Sequence, residues 1–228
     1  APAGGSTVTL SSNNAAATVP ASVTVLEGTT TATFAINTTT VGSAASVTIS
    51  GTYNGGTQTA TLAVNPPALA SVSLSPNSLV GGNSSTATVT LNGPAPAGGA
   101  EVMLSESAPD ATVPVSVMVA AGETTATFAV NTTAVGAMTP VTVSGAYNGT
   151  QSAILTINPP VISSVSLSPS TLVGGASSTG TVTLSSPAPA GGASVALLSD
   201  SGSATVPVNV TVAGGATTAT FTVGTVAV

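Results

Sequence analysis

Any chemistry this chain performs near neutral pH has to come from carboxylates. It contains no Lys, Arg, His or Cys, and its six Asp and Glu are the only side chains that carry charge. Nucleophilic triads need a His or an equivalent base, and acid–base work needs groups tuned near neutral pH. Paired carboxylates remain, and such pairs hydrolyse glycosides or help to ligate calcium. Four of the six fall close together in sequence: Glu101, Glu106, Asp110 and Glu123. Each can be compared with the residues one repeat away on either side, because the chain is repetitive. Glu101 stands against Thr7 and Ser194, Glu106 against Ser12 and Ser199, Asp110 against Ala16 and Ser203, and Glu123 against Thr29 and Ala216. No acidic position recurs, so solvated surface charge is the favoured reading. Glu106 with Asp110 is the one place where a weak calcium site would fit. The expectation is no catalytic, cofactor-binding or metal-binding residue, and no cofactor.

Other ligand chemistries fare no better. Sugar stacking needs exposed aromatics, and Phe34, Phe128, Phe221, Tyr53 and Tyr147 all fall on inward positions of an alternating pattern. Tyr147 is read as a core residue with a solvated hydroxyl in preference to a tyrosine corner. Thr86, Thr88 and Thr90 read as a solvated strand face rather than an ice-binding array. Five Asn-x-Ser/Thr tripeptides, at Asn37, Asn83, Asn131, Asn148 and Asn209, are candidate glycan acceptors, and only in a host with the machinery.

The elements that position these residues follow from an internal repeat. Pro-Ala-Gly-Gly begins at Pro2, Pro96 and Pro189, Thr-Val-Pro at Thr18, Thr112 and Thr205, and Thr-Ala-Thr-Phe at Thr31, Thr125 and Thr218. Asn-Pro-Pro begins at Asn65 and Asn158, 93 residues apart. One extra Gly in Tyr53-Asn54-Gly55-Gly56, against Tyr147-Asn148-Gly149, accounts for a spacing of 94 elsewhere. A period of this length matches a whole domain of the immunoglobulin type. The expected division is a partial repeat at 1–67 without its first strands, a complete repeat at 68–160, and a partial repeat at 161–228 without its last strands.

Seven runs in the complete repeat alternate apolar and Thr or Ser residues, which is the signature of half-buried strands. They are Ser71–Ser75, Thr86–Leu91, Glu101–Ser105, Val113–Val119, Thr125–Val130, Val141–Tyr147 and Ser152–Ile157. Val115, Val117 and Val119 are expected inward on the fourth, where Pro114 indicates an edge or a bend. Asn148-Gly149 between two such runs predicts a tight hairpin. The predicted fold is all-β: tandem immunoglobulin-like seven-stranded sandwiches arranged end to end. Between them, Asn65-Pro66-Pro67 and Asn158-Pro159-Pro160 make short, semi-rigid joints, with Leu69 and Ile162 expected between neighbouring domains.

The runs Ser164–Pro169, Gly174–Leu184, Pro187–Gly192, Ala204–Pro207 and Ala216–Phe221 together resemble the immunoglobulin-like repeats of bacterial surface and secreted proteins. The resemblance covers the whole chain. It implies a sandwich fold within long, repetitive, cell-surface or extracellular proteins, and it supplies no ligand.

Composition narrows the partners. With no basic residue, binding to nucleic acid phosphates has no electrostatic source, and attraction to anionic lipid fails for the same reason. No segment reaches the roughly 18 uninterrupted apolar residues of a membrane span. The chain opens on Ala1-Pro2-Ala3 and reads as an internal or processed piece. The expected role is structural and extracellular: a repeat segment of a cell-surface stalk or a self-assembling filament, without catalysis. The expected partners are other copies in fibres or head-to-tail continuation of the same chain, with a cell-surface or matrix ligand as a further candidate. The second reading is an adhesin module that binds a glycan or matrix ligand through its loops.

Overall fold

A computed structural model describes residues 1–227. Strands alone make up its regular structure among the described residues, as the Val, Thr and Ser content favours. The first stretch holds β1 (Ser6–Ser12), β2 (Ala17–Thr18), β3 (Ser22–Val25), β4 (Asn37–Thr38), β5 (Ala45–Tyr53) and β6 (Gly56–Val64). The middle stretch holds β7 (Leu69–Ser75), β8 (Ser78–Val80), β9 (Ser84–Leu91), β10 (Ala100–Glu106), β11 (Ala111–Thr112), β12 (Ser116–Val119), β13 (Thr125–Thr132), β14 (Thr139–Ala146) and β15 (Thr150–Asn158). The last stretch holds β16 (Ile162–Ser168), β17 (Ser177–Leu184), β18 (Ala193–Ala196), β19 (Ala204–Thr205), β20 (Asn209–Val212) and β21 (Thr218–Thr225).

The middle stretch is an immunoglobulin-like sandwich. One sheet runs β11-β13-β9-β7 and the other β12-β10-β14-β15-β8. Every pairing is antiparallel except β8 with β15. Their inner faces supply one core, in which Val89, Val102, Val130, Val141, Val143, Leu155 and Ile157 are fully buried. Burying each such side chain contributes about 1.5–3 kcal/mol. Phe128, at 8 % exposure, is the core's bulkiest buried side chain, and Tyr147 packs half-buried against its edge.

The expected strand at 113–119 is in fact two strands in different sheets. β11 pairs with β13, and β12 pairs with β10. The chain crosses from one sheet to the other at Val113-Pro114-Val115. Pro114 has no N–H to give, so it sits where neither ladder needs one. The crossing also overturns the inward placement of Val115, which is 76 % exposed, while Val119 is fully buried. β8 is a further strand, three residues long, that the alternation does not announce.

The flanking stretches each hold one sheet in full and a remnant of the other. In the first, β3-β1-β5-β6 form a four-stranded sheet and β2-β4 a two-residue ladder. Thr31-Ala32-Thr33-Phe34 is not a strand here. Its counterpart Thr125–Phe128 lies in β13, which is held by seven paired positions with β9, and no described strand stands in the place of β9 in the first stretch. In the last stretch β16-β17-β21-β19 form the complete sheet, and β18-β20 a separate ribbon. Every residue of β16 is exposed, whereas Leu69 and Val72 of its counterpart β7 are buried.

Candidate functional site

The carboxylates are dispersed. Glu101 lies on the exposed face of β10, where its Oε1 accepts the Ser116 hydroxyl at 2.7 Å. Glu106 closes β10, Asp110 lies half-buried in the turn before β11, and Glu123 is exposed in the turn before β13. Glu123 takes part in packing through its backbone carbonyl, which accepts the Ala95 N–H at 2.7 Å. Among the described residues, no three acidic side chains gather into a metal-binding group.

Polar side chains that do recur are structural, and they differ from the acidic ones in kind. The Ser85 hydroxyl donates to the Pro76 carbonyl at 2.6 Å, and the Ser178 hydroxyl to the Pro169 carbonyl at 2.7 Å. Both serines are buried. The Thr132 hydroxyl donates to the Asn83 carbonyl and the Thr225 hydroxyl to the Ala176 carbonyl, each at 2.6 Å. A third position repeats in role without repeating in residue type. Asn13 Oδ1 accepts the Thr48 N–H at 2.8 Å, and the Ser107 hydroxyl oxygen accepts the Thr142 N–H at 2.9 Å. Asp200 occupies the same place one repeat on. The available signal was side-chain acceptor capacity at the repeat spacing, not residue identity.

The five sequon asparagines are all exposed. Asn37 lies on β4, Asn131 on β13 and Asn209 on β20, while Asn83 and Asn148 lie in turns. Asn83 Nδ2 already donates to the Val80 carbonyl at 2.8 Å, and Asn148 Nδ2 to the Pro67 carbonyl at 2.9 Å. Asn148 adopts φ 47, the left-handed geometry that the hairpin requires.

The joints are not packed by the residues expected. Leu69 is buried in the middle core, beside Gly145 of β14, and is no interdomain plug. Ile162 is 52 % exposed, because no described strand lies where β14 would cover it. Contact across the second joint comes instead from Ser186, whose buried hydroxyl donates to the Gly81 carbonyl at 3.3 Å. Gly136, Pro159, Pro160 and Pro189 line the adjoining cleft. At the first joint, Thr38–Thr40 face Asn65–Pro67 and Asn92–Pro94.

Two apolar grooves lie on the flanking stretches. One, about 610 Å³, is walled by Val8, Leu10, Phe34, Ile49 and Tyr53 and has no charged residue in its lining. Phe34 is 37 % and Tyr53 42 % exposed, against 8 % for Phe128. The inward placement of Phe34 and Tyr53 therefore holds for direction and fails for burial. The other groove, about 570 Å³, lies among Val165, Leu167, Leu197 and Phe221. Each groove is the inner face of a sheet without its full partner.

No family model matches the chain, and no curated protein does. Among solved structures, it aligns with the D00-D0 domain of Intimin at 12 % identity and a TM-score of 0.32, covering 65 % of this chain and 84 % of that one. It also aligns with the D0-D1 domain of Intimin at 13 % identity and a TM-score of 0.33, covering 68 % and 82 %.

Proposed function

We propose that this chain is a structural, extracellular segment of a repetitive cell-surface protein, serving as a stalk or as part of a filament and doing no chemistry. Residues 68–160 are read as one complete repeat, and 1–67 and 161–228 as incomplete ones. The observation that carries this reading is the recurrence of backbone-holding contacts. Ser85 and Ser178, Thr132 and Thr225, and Asn13 and Ser107 each brace the same place in successive repeats. Short proline-bearing joints favour a fixed relative direction between such repeats. The exposed sequon asparagines are candidate carriers of glycans, which would solvate a surface with so few charges.

Negative-stain imaging of the isolated chain tests the proposal. The expected particles are unbranched, with the repeats in line. Particles with the repeats folded back on one another would overturn the stalk. The second reading is an adhesin module, favoured by the clustering of loops at the ends of the sandwich. A glycan and matrix-protein array that shows binding abolished by loop substitutions would decide for it.

A further inference from the structure

The two Asn-Gly dipeptides of the middle stretch, Asn92-Gly93 and Asn148-Gly149, grip opposite sides of one peptide unit at the first joint. Asn148 Nδ2 donates to the Pro67 carbonyl at 2.9 Å, and Asn92 Oδ1 accepts the Ala68 N–H at 2.9 Å. Each polar group of the Pro67-Ala68 peptide is thus bound by a side-chain amide. The second joint is built differently. Ser185 stands in the place of Asn92, and its hydroxyl oxygen accepts the Val161 N–H at 3.1 Å.

Asparagine before glycine readily loses its amide, because glycine leaves the following peptide nitrogen unshielded. The two sites differ in access. Gly149 lies outside the β14–β15 ladder, which ends at Ala146 with Thr150, and a Cβ added to it would meet nothing within 4 Å. A Cβ added to Gly93 would lie 3.9 Å from Pro67 Cβ. The sites also differ in what the product does. An aspartate at position 92 keeps an oxygen for the Ala68 N–H. An aspartate at position 148 turns an oxygen toward the Pro67 carbonyl oxygen, acceptor against acceptor. The turn itself survives, because aspartate tolerates the left-handed φ of 47 found there.

We propose that Asn148 is a deamidation site whose conversion releases the first joint. The deprotonated Gly149 nitrogen attacks Asn148 Cγ and forms a succinimide. The Cγ–Nδ2 bond breaks, and the proton lost from the Gly149 nitrogen leaves with the ammonia. Water then opens the ring to aspartate or isoaspartate, so one water enters for each ammonia lost and no oxidant takes part. The change runs one way, and it also removes the Asn148 amide as a glycan acceptor.

Incubation of the full chain at mildly alkaline pH, then pepsin digestion and mass mapping, tests the site. Asn148 is expected to convert ahead of Asn92. Asn65 and Asn158 are expected to stay unchanged, because the proline after each has no N–H to lose. An Asn148 that outlasts Asn92, or that shows no conversion once the urea-unfolded chain has converted, would overturn the site. Spin labels on β5 and β9 read the consequence in Asn148→Asp and Asn92→Asp. The first variant is expected to broaden the distance distribution across the joint, and the second to match the wild type. Matching widths in the two variants would overturn the release. The inference goes beyond the stalk and fails separately from it: a durable Asn148 leaves in-line particles as they are, and folded-back particles leave the deamidation standing.

Discussion

From β9, the Ser85 hydroxyl reaches the turn after β7 and donates to the Pro76 carbonyl at 2.6 Å, a group just outside the strand ladders. Ser85 is 2 % exposed, so water cannot replace it. Ser85→Ala leaves a carbonyl without its donor and is expected to destabilise the middle stretch by about 1–3 kcal/mol. Urea unfolding followed by Tyr147 fluorescence, in a Tyr53→Phe background, reads this directly. An unchanged midpoint would mean that the hydroxyl is dispensable.

Gly145 and Gly51 occupy the same place in successive repeats and should respond oppositely to the same change. Gly145→Ala puts a methyl against Leu69, Val102 and Val72 at 3.0–3.4 Å, and overpacking of this kind costs about 1–3 kcal/mol. Gly51→Ala meets only ordinary contacts. Removing backbone freedom from a strand position there is expected to be neutral or stabilising by about 0.5–1 kcal/mol. Equal effects at the two positions would contradict the difference in their surroundings.

Phe128 and Phe34 share the tetrapeptide Thr-Ala-Thr-Phe and differ in burial. Phe128→Ala is expected to cost about 3–5 kcal/mol, the usual loss for a core aromatic. Phe34→Ala, at an already open face, is expected to cost no more than about 1.5 kcal/mol. Thermal melts of the two variants give the comparison.

Ser186 ties the last stretch to the Gly81 carbonyl of the middle one. Ser186→Ala is expected to loosen the joint, because it leaves the Gly81 carbonyl without its donor. Spin labels on β9 and β17 would show a broader distance distribution in the variant. An unchanged width would assign the stiffness to the prolines alone.

Trypsin has no Lys or Arg to cut after. The chain is expected to survive the protease intact even when unfolded, as gel electrophoresis will show.

Much of the sandwich was legible because its signal is local. Val72, Val89, Val143 and Leu155 sit on alternating runs, and each is buried as the alternation implies. The parts that escaped depend on partners far away in sequence. Val115 continues the alternation of its neighbours, yet the chain changes sheets there, which period-2 reasoning cannot register. β8 has three residues, too few to alternate, and its partner β15 lies more than seventy positions on. Thr31–Phe34 and Thr125–Phe128 are the same four residues with different outcomes, because only the second has β9 beside it. Among polar groups, the acidic residues drew the first comparison because chemistry would need them. The recurring contacts belong to Ser, Thr and Asn, whose roles appear only once the backbone group they serve is known.

The parallel pairing of β8 with β15 has a mechanical meaning. Ser78, Leu79 and Val80 lie against Thr156, Ile157 and Asn158, close to where the chain leaves the middle sandwich. Asn158 Nδ2 adds bonds to the Ser78 hydroxyl and the Leu79 carbonyl, and the Gly81 N–H donates to the Asn158 carbonyl. Tension applied through Ala68 and Pro160 pulls these two strands past each other along their length. The bonds across them are then loaded in shear and share the force, whereas a hairpin pulled from its open end would surrender them singly. Three residues thus act as a clasp where the chain leaves the fold, behind the β7–β9 ladder that tension at Ala68 meets first.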